Sequence, residues 1–384
     1  MSVGTGYRRD GPWNSAIVPG RVSATVIELR AGRLPDPISR LRYLRRATVA
    51  GSKRYRRWTR GAGLALVLIP FVPSREVAWA PRLENSHSAP PSVWLVEAAP
   101  DHETYSNGLR IETRYTIETQ PRSYGVFDRN RPDSEALQWR TEPAGIVYHA
   151  TESELAPFEP EQNARIQRID ESLLDYIRFR QSYHFVIDRF GRVYRVVAEQ
   201  DSADHAGHSI WADQRQVYCN LNAAFLGIAF EARTDGGSKS PVTEAQLQAG
   251  RVLTDMLRFR YRIPGDNCIT HAQVSVNPHN MEIGYHTDWA RQFPFAAMGL
   301  TDNYRLPVAS TLLFGFGYSH AFLRATNGTR WQGLVYAEET MQEQAAARGL
   351  SPAEYMRLLQ ERYRMKMGAL RRALALEENS NERE

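Results

Sequence analysis

The chain has 384 residues, 42% of them apolar and 24% charged, an ordinary soluble composition with room for one large domain or two modest ones. Its formal charge of +5 is lopsided: residues 1–80 hold 15 Lys/Arg and 4 Asp/Glu, whereas residues 81–384 hold 33 basic and 39 acidic groups. The basic character belongs to the leader, so the sequence argues against a nucleic-acid partner.

That leader reads as a targeting segment. Arg45, Arg46, Lys53, Arg54, Arg56, Arg57 and Arg60 precede an apolar stretch, Gly61 to Pro73, followed by the small-x-small pattern Ala78-Trp79-Ala80. A basic region, a short apolar region and a small-residue site form a secretory signal. The apolar stretch is shorter than the roughly 20 residues of a spanning helix and contains Pro70. Export to the periplasm or the extracellular space is expected, with an uncleaved membrane anchor through residues 61–80 as the alternative. Export would permit a disulfide between the two cysteines, Cys219 and Cys268; two buried free thiols are the other reading.

Residues 81–135 are rich in Pro, Ser, Asn and Arg and show little periodicity, so they read as a linker and irregular N-terminal decoration. Regular patterns begin near Gln138. Gly145–Ala150 predicts a buried strand. Residues 161–180 carry helical spacing (Ile166, Ile169, Leu173, Leu174, Ile177). Tyr183–Ile187 and Val193–Val197 predict a hairpin around a turn at Gly191. Phe225–Ala232 predicts another buried strand. Thr243–Arg262 predicts an amphipathic helix that opens with a capping box, Thr243 to Gln246, and stops at Pro264-Gly265. Ile269–His271 reads as a short strand and Trp289–Phe293 as a helical turn. Beyond Gly299 come an apolar run, Leu312–Tyr318, and two helices, Tyr336–Arg348 and Ser351–Leu376, the second with an apolar stripe (Tyr355, Leu358, Leu359, Tyr363) expected to pack on the main domain. The sum is an α/β fold with a central mixed β-sheet flanked by helices and a helical C-terminal extension. The expected divisions fall at 1–80, 81–135, 136–298 and 299–384.

Three segments each end on a candidate metal ligand: Gly-Ile-Val-Tyr-His149, Cys-Ile-Thr-His271 and Gly-Tyr-His286-Thr-Asp288. Two imidazoles and a carboxylate from separate segments make a catalytic zinc set, three protein ligands with a fourth position left for water. Each residue also has a bland alternative. His149 and His271 could be satisfied core histidines, and Asp288 could be a helix N-cap, with His286 or His279 taking the third place.

Taken in order, six pieces resemble the type 2 N-acetylmuramoyl-L-alanine amidase and peptidoglycan recognition protein family. They are Ile146-Val-Tyr-His149, Ser182-Tyr183-His184-Phe185-Val186-Ile187, His205-Ala206-Gly207, Leu226-Gly-Ile-Ala229-Phe-Glu231, Thr270-His271 and His286-Thr-Asp288. The resemblance covers residues 140–296 and implies a Zn2+ held by His149, His271 and Asp288. It implies hydrolysis of the amide between N-acetylmuramic acid and L-alanine, with peptidoglycan or muropeptides as partner. At the place where many members carry an oxyanion-stabilising Lys, this chain has His286. Where one branch carries a general-base Glu it has Ala229, which leaves Tyr183 as the expected water-positioning group and Glu231, two positions on, in reserve. The spacing from His271 to Asp288 is lengthened by a loop, Val274–Gly284. His205, Tyr148 and Trp211 are expected substrate contacts, and His184, His208 and His320 are expected to be structural or surface residues. A non-catalytic peptidoglycan receptor or scaffold with the same fold is the alternative, and a zinc enzyme acting on a different amide is the third. The sequence sets no oligomeric state.

Overall fold

The computed structural model describes residues 89–234 and 241–381. The leader, with its expected signal or anchor, lies outside them. Among the described residues no helix is long and apolar enough to cross a membrane.

The central sheet has eight strands in the order β1-β2-β3-β8-β7-β11-β6-β12. They are β1 Leu95–Ala98, β2 His102–Tyr105, β3 Arg110–Glu112, β6 Gly145–Ala150, β7 Phe185–Ile187, β8 Val193–Arg195, β11 Phe225–Phe230 and β12 Cys268–Thr270. β7, β11, β6 and β12 run parallel, and the hairpin partner β8 makes the sheet mixed. The parallel strands are buried along their whole length and mostly apolar, because both of their faces are covered. A second sheet holds β5 Leu137–Arg140, β4 Tyr124–Asp128, β10 Gln216–Tyr218 and β9 Trp211–Ala212, in that order.

One face of the central sheet packs Ile146, Tyr148, Phe185, Ile187, Leu226, Ile228 and Phe230 with residues of a long helix. That helix is Glu244–Tyr261, opened by the expected capping box. It is called α2 here, since the earlier helix Asn163–Phe179 is α1. On the opposite face, α1 sets Leu174 and Ile177 against Val186, Tyr194 and Val196, and Val147 and Ile269 pack with the second sheet through Tyr124, Val126, Trp211 and Tyr218. Beyond the sheet come the short helices α3 His271–Val274 and α4 Ala309–Phe314, then α5 Gln332–Ala347 and α6 Pro352–Asn381.

Several expectations need correcting. Residues 81–135 are not merely irregular: they supply β1, β2 and β3 to the main sheet and β4 to the second. These strands are 3–5 residues long, too short to leave a clear alternation in the sequence. His271 starts α3 rather than ending a strand. Residues 289–293 form no helical turn, because Trp289 and Gln292 have φ of +60° and +52°. Tyr183 also has φ +60°, so the extended strand begins only after it. The α6 stripe packs through Tyr355, Leu359 and Tyr363, whereas Leu358 is 43% exposed. Cys219 and Cys268 are both buried and free, lying in different core clusters.

Candidate metal centre

The carboxyl ends of neighbouring parallel strands deliver the site. His149 comes from β6, directly beside Ala229 of β11. His271 follows β12, where Thr270 and Gln273 form a capping box that holds the first turn of α3. Asp288 comes from the loop behind α3, and its backbone carbonyl accepts the Ala272 N–H.

His149, His271 and Asp288 converge, each offering one ligand atom within 4.8 Å of the others. Asp288 Oδ1 lies 2.9 Å from His271 Nδ1, and Oδ2 lies 3.3 Å from His149 Nδ1. His149 Nδ1 is buried without a hydrogen bond. A tetrahedral zinc with ligands at about 2.0–2.1 Å has ligand-to-ligand edges of roughly 3.3 Å. An orphaned buried imidazole nitrogen facing a carboxylate at that distance therefore fits a metal centre better than a closed hydrogen-bond set.

The electrostatics agree with the donor chemistry. Burial, reinforced by His271, pushes the His149 pKa down to about 4, so the ring is neutral, as a ligand must be. Burial raises the Asp288 pKa, but His271 and His149 outweigh it and hold the carboxyl well below its usual range.

A chain of tautomers sets which nitrogen of His149 is free. The Phe225 carbonyl, 3.2 Å from His205 Nε2, can only accept, so His205 carries its proton there. His205 Nδ1 then accepts, at 3.1 Å, from His149 Nε2. That leaves the lone pair of His149 on Nδ1, facing Asp288. Asn222 Oδ1 accepts the backbone N–H groups of His205, Ala206 and Gly207 and so holds the turn that carries His205. A Cβ on Gly227 would lie 2.6 Å from the His205 ring, so glycine is needed there for the two groups to pack.

Around this centre, Tyr183 places its ring centroid 5.0 Å from that of His149. Its left-handed backbone, costing roughly 1–3 kcal/mol, turns it toward the site. Burial and then Asp288 raise its pKa, so the hydroxyl keeps its proton. His286 is exposed and stacks on His271 at 4.7 Å and 18°. Burial and then His271 lower its pKa.

The other expected residues lie elsewhere. His205 is buried behind His149, not open to a substrate. Tyr148 is fully buried on the α2 face, where its hydroxyl pairs with Thr254 at 2.8 Å and its ring stacks on Phe293 at 4.5 Å. Alternation along β6 turns it away from His149. Trp211 is buried, its Nε1–H donating to Asn267 at 3.0 Å. Glu231 lies beyond the end of β11, accepting the Arg189 N–H at 3.2 Å, and Asp170 is its other neighbour; it joins an acidic cluster rather than the metal centre. His279 is exposed and outside the cluster. His184 accepts the Gly227 N–H at 2.9 Å and is structural. The residues missed from the sequence are Asn222 and the buried Arg122, whose guanidinium donates to the Glu199 and Asp201 carbonyls; Gly227 stood in the Leu226–Glu231 piece without a role of its own. Arg122 carried no signal, lying in a segment without periodicity.

Residues 139–288 match the protein family described as N-acetylmuramoyl-L-alanine amidase. Over 125 residues, 32% of this chain, the sequence is 30% identical to the 1,6-anhydro-N-acetylmuramyl-L-alanine amidase AmpD of Haemophilus influenzae; the match spans 63% of that protein's length. Among solved structures, it is similar to the amidase AmiD of E. coli (23% identity, 52% of this chain and 89% of that one, TM-score 0.35). It is also similar to AmpDh3 of Pseudomonas aeruginosa (18% identity, 50% and 82%, TM-score 0.35).

Proposed function

Since residues 139–288 match the family described as N-acetylmuramoyl-L-alanine amidase, we propose that the chain is a zinc amidase that cleaves the bond between N-acetylmuramic acid and L-alanine in peptidoglycan or its fragments. The observation that carries this is the convergence of His149, His271 and Asp288 with an orphaned nitrogen turned inward. His149, His271 and Asp288 would hold the ion. Bound there, zinc supplies a Lewis acid and a water acidic enough to act as nucleophile near neutral pH.

The chain's own residues have separable tasks. His205 holds His149 in the tautomer that presents Nδ1. Tyr183, a protonated phenol beside His149, orients the attacking water or donates to the substrate oxygen. His286, at the exposed rim, stabilises negative charge on that oxygen through its N–H. Export through the basic leader would bring the site to the wall; fractionation of cells expressing the full chain tests it.

The decisive experiment combines metal analysis with product analysis. The purified chain is expected to hold one zinc and to release free stem peptide from muropeptides or sacculi, with release lost on chelation and restored by zinc. Zinc without release from either substrate would favour a peptidoglycan receptor, and cleavage of soluble peptides at another amide would favour a different zinc hydrolase.

A further inference from the structure

We propose that Tyr304 and Trp331, both beyond the family-matched residues, are positioning residues for Asp288, so that the C-terminal region forms part of the framework of the metal centre. This rests on the metal reading above.

Asp288 runs directly into Trp289, a buried bulky residue in the left-handed region at φ +60°. Such a turn persists where its surroundings over-determine it. The Trp331 Nε1–H donates to the Ala290 carbonyl at 3.0 Å. The Tyr304 hydroxyl donates to the Trp289 carbonyl and accepts the Phe293 N–H at 3.3 Å. The two rings stack at 5.4 Å and 22°, so each braces the other against the same turn.

This clamp is anchored at both ends. Asn303, next to Tyr304, is fully buried, and its side-chain amide donates to the Gly265 carbonyl at 2.8 Å and the Cys268 carbonyl at 2.7 Å. Its own carbonyl accepts from Gln273 at 2.9 Å, the residue that closes the capping box in front of His271. One short segment thus ties the strand that delivers His271 to the turn that delivers Asp288. On the other side, α5 seats Trp331 by close approach: a Cβ on Gly333 would lie 1.6 Å from the Leu306 carbonyl oxygen. A metal site tolerates displacement of its ligands by only about 0.5 Å. Hydrogen bonds to the residues immediately after Asp288 therefore bear on metal affinity as well as on folding.

The test uses the full chain, with zinc affinity measured by competition against a chromophoric chelator and thermal unfolding of the metal-free protein followed in parallel. Tyr304→Phe removes the hydroxyl and keeps the ring stack. Trp331→Phe removes the indole N–H. Each is expected to fold and to bind zinc about 10-fold more weakly. In an Asp288→Ala background, where there is no carboxylate left to position, the same substitutions are expected to leave zinc affinity unchanged. Unaltered affinity in Tyr304→Phe, or an equal loss with and without Asp288, would overturn the proposal and leave Tyr304 as a packing residue. A wild-type chain that binds no zinc would instead bring down the metal reading, and this inference with it.

Discussion

Tyr148 and His149 are consecutive residues of β6, both with no exposed surface, and they meet opposite surroundings. Tyr148 faces α2, where its one polar atom is satisfied by Thr254 and the rest of the ring packs against Phe230 and Phe293. His149 faces Tyr183, His205 and His271, and one of its nitrogens has no hydrogen bond at all. A buried polar atom left unpaired costs about 1–3 kcal/mol. One face of the strand avoids that cost and the other retains it, so the two faces separate packing from chemistry within a single step along the chain.

The largest test of that contrast is His149→Ala. Loss of a direct ligand should weaken zinc by more than the roughly 10–100-fold typical of an outer partner and abolish turnover, as read by metal analysis and peptide release. Tyr183→Phe should retain zinc and lower kcat by about 100-fold or more, the scale of losing one transition-state hydrogen-bond donor. Unchanged kcat would remove Tyr183 from the reaction. His205→Ala should weaken zinc by roughly 10-fold, because His149 loses the acceptor that sets its tautomer. His205→Gln, whose side-chain carbonyl can still accept, should recover part of that affinity.

On the packing face, Tyr148→Phe should cost about 1 kcal/mol in denaturant unfolding and leave zinc affinity and kcat as they are. A change in either would mean that the two faces are coupled. The smallest effect concerns Glu231, at the end of β11. Burial, and then the neighbouring Asp170 carboxyl, hold its pKa well above the usual value of 4.5. The folded chain therefore keeps a proton that the unfolded chain releases. The contribution is full below the unfolded pKa and is lost as pH rises through the folded one. Stability should fall with rising pH above about 4.5, and Glu231→Gln should flatten that slope in melts taken across the range.

Much of this was legible in the sequence where the signal was local. The buried strand of His149, α1, the capped α2 and the hairpin at Gly191 announce themselves through periodicity and turn chemistry over 5–18 residues, and the metal candidates through residue type at the ends of apolar runs. Tyr148 was expected to contact substrate, although alternation along β6 turns it away from His149 and onto the α2 face. Burial of Trp211 was not legible, because its hydrogen bond to Asn267 spans 56 positions. The three short strands of residues 95–112 failed for a different reason: edge additions of 3–4 residues bury too little to impose a pattern.

What the sequence determined by itself, then, was the order of its longer elements and the types of side chain available for a metal, because both depend on neighbours along the chain. Which nitrogen of His149 stays free, that His205 supports it from behind, and that Tyr304 and Trp331 hold the turn after Asp288 were decided only in three dimensions. Those outcomes hang on hydrogen bonds between groups brought together by sheet pairing and helix packing, whose directions no local pattern encodes.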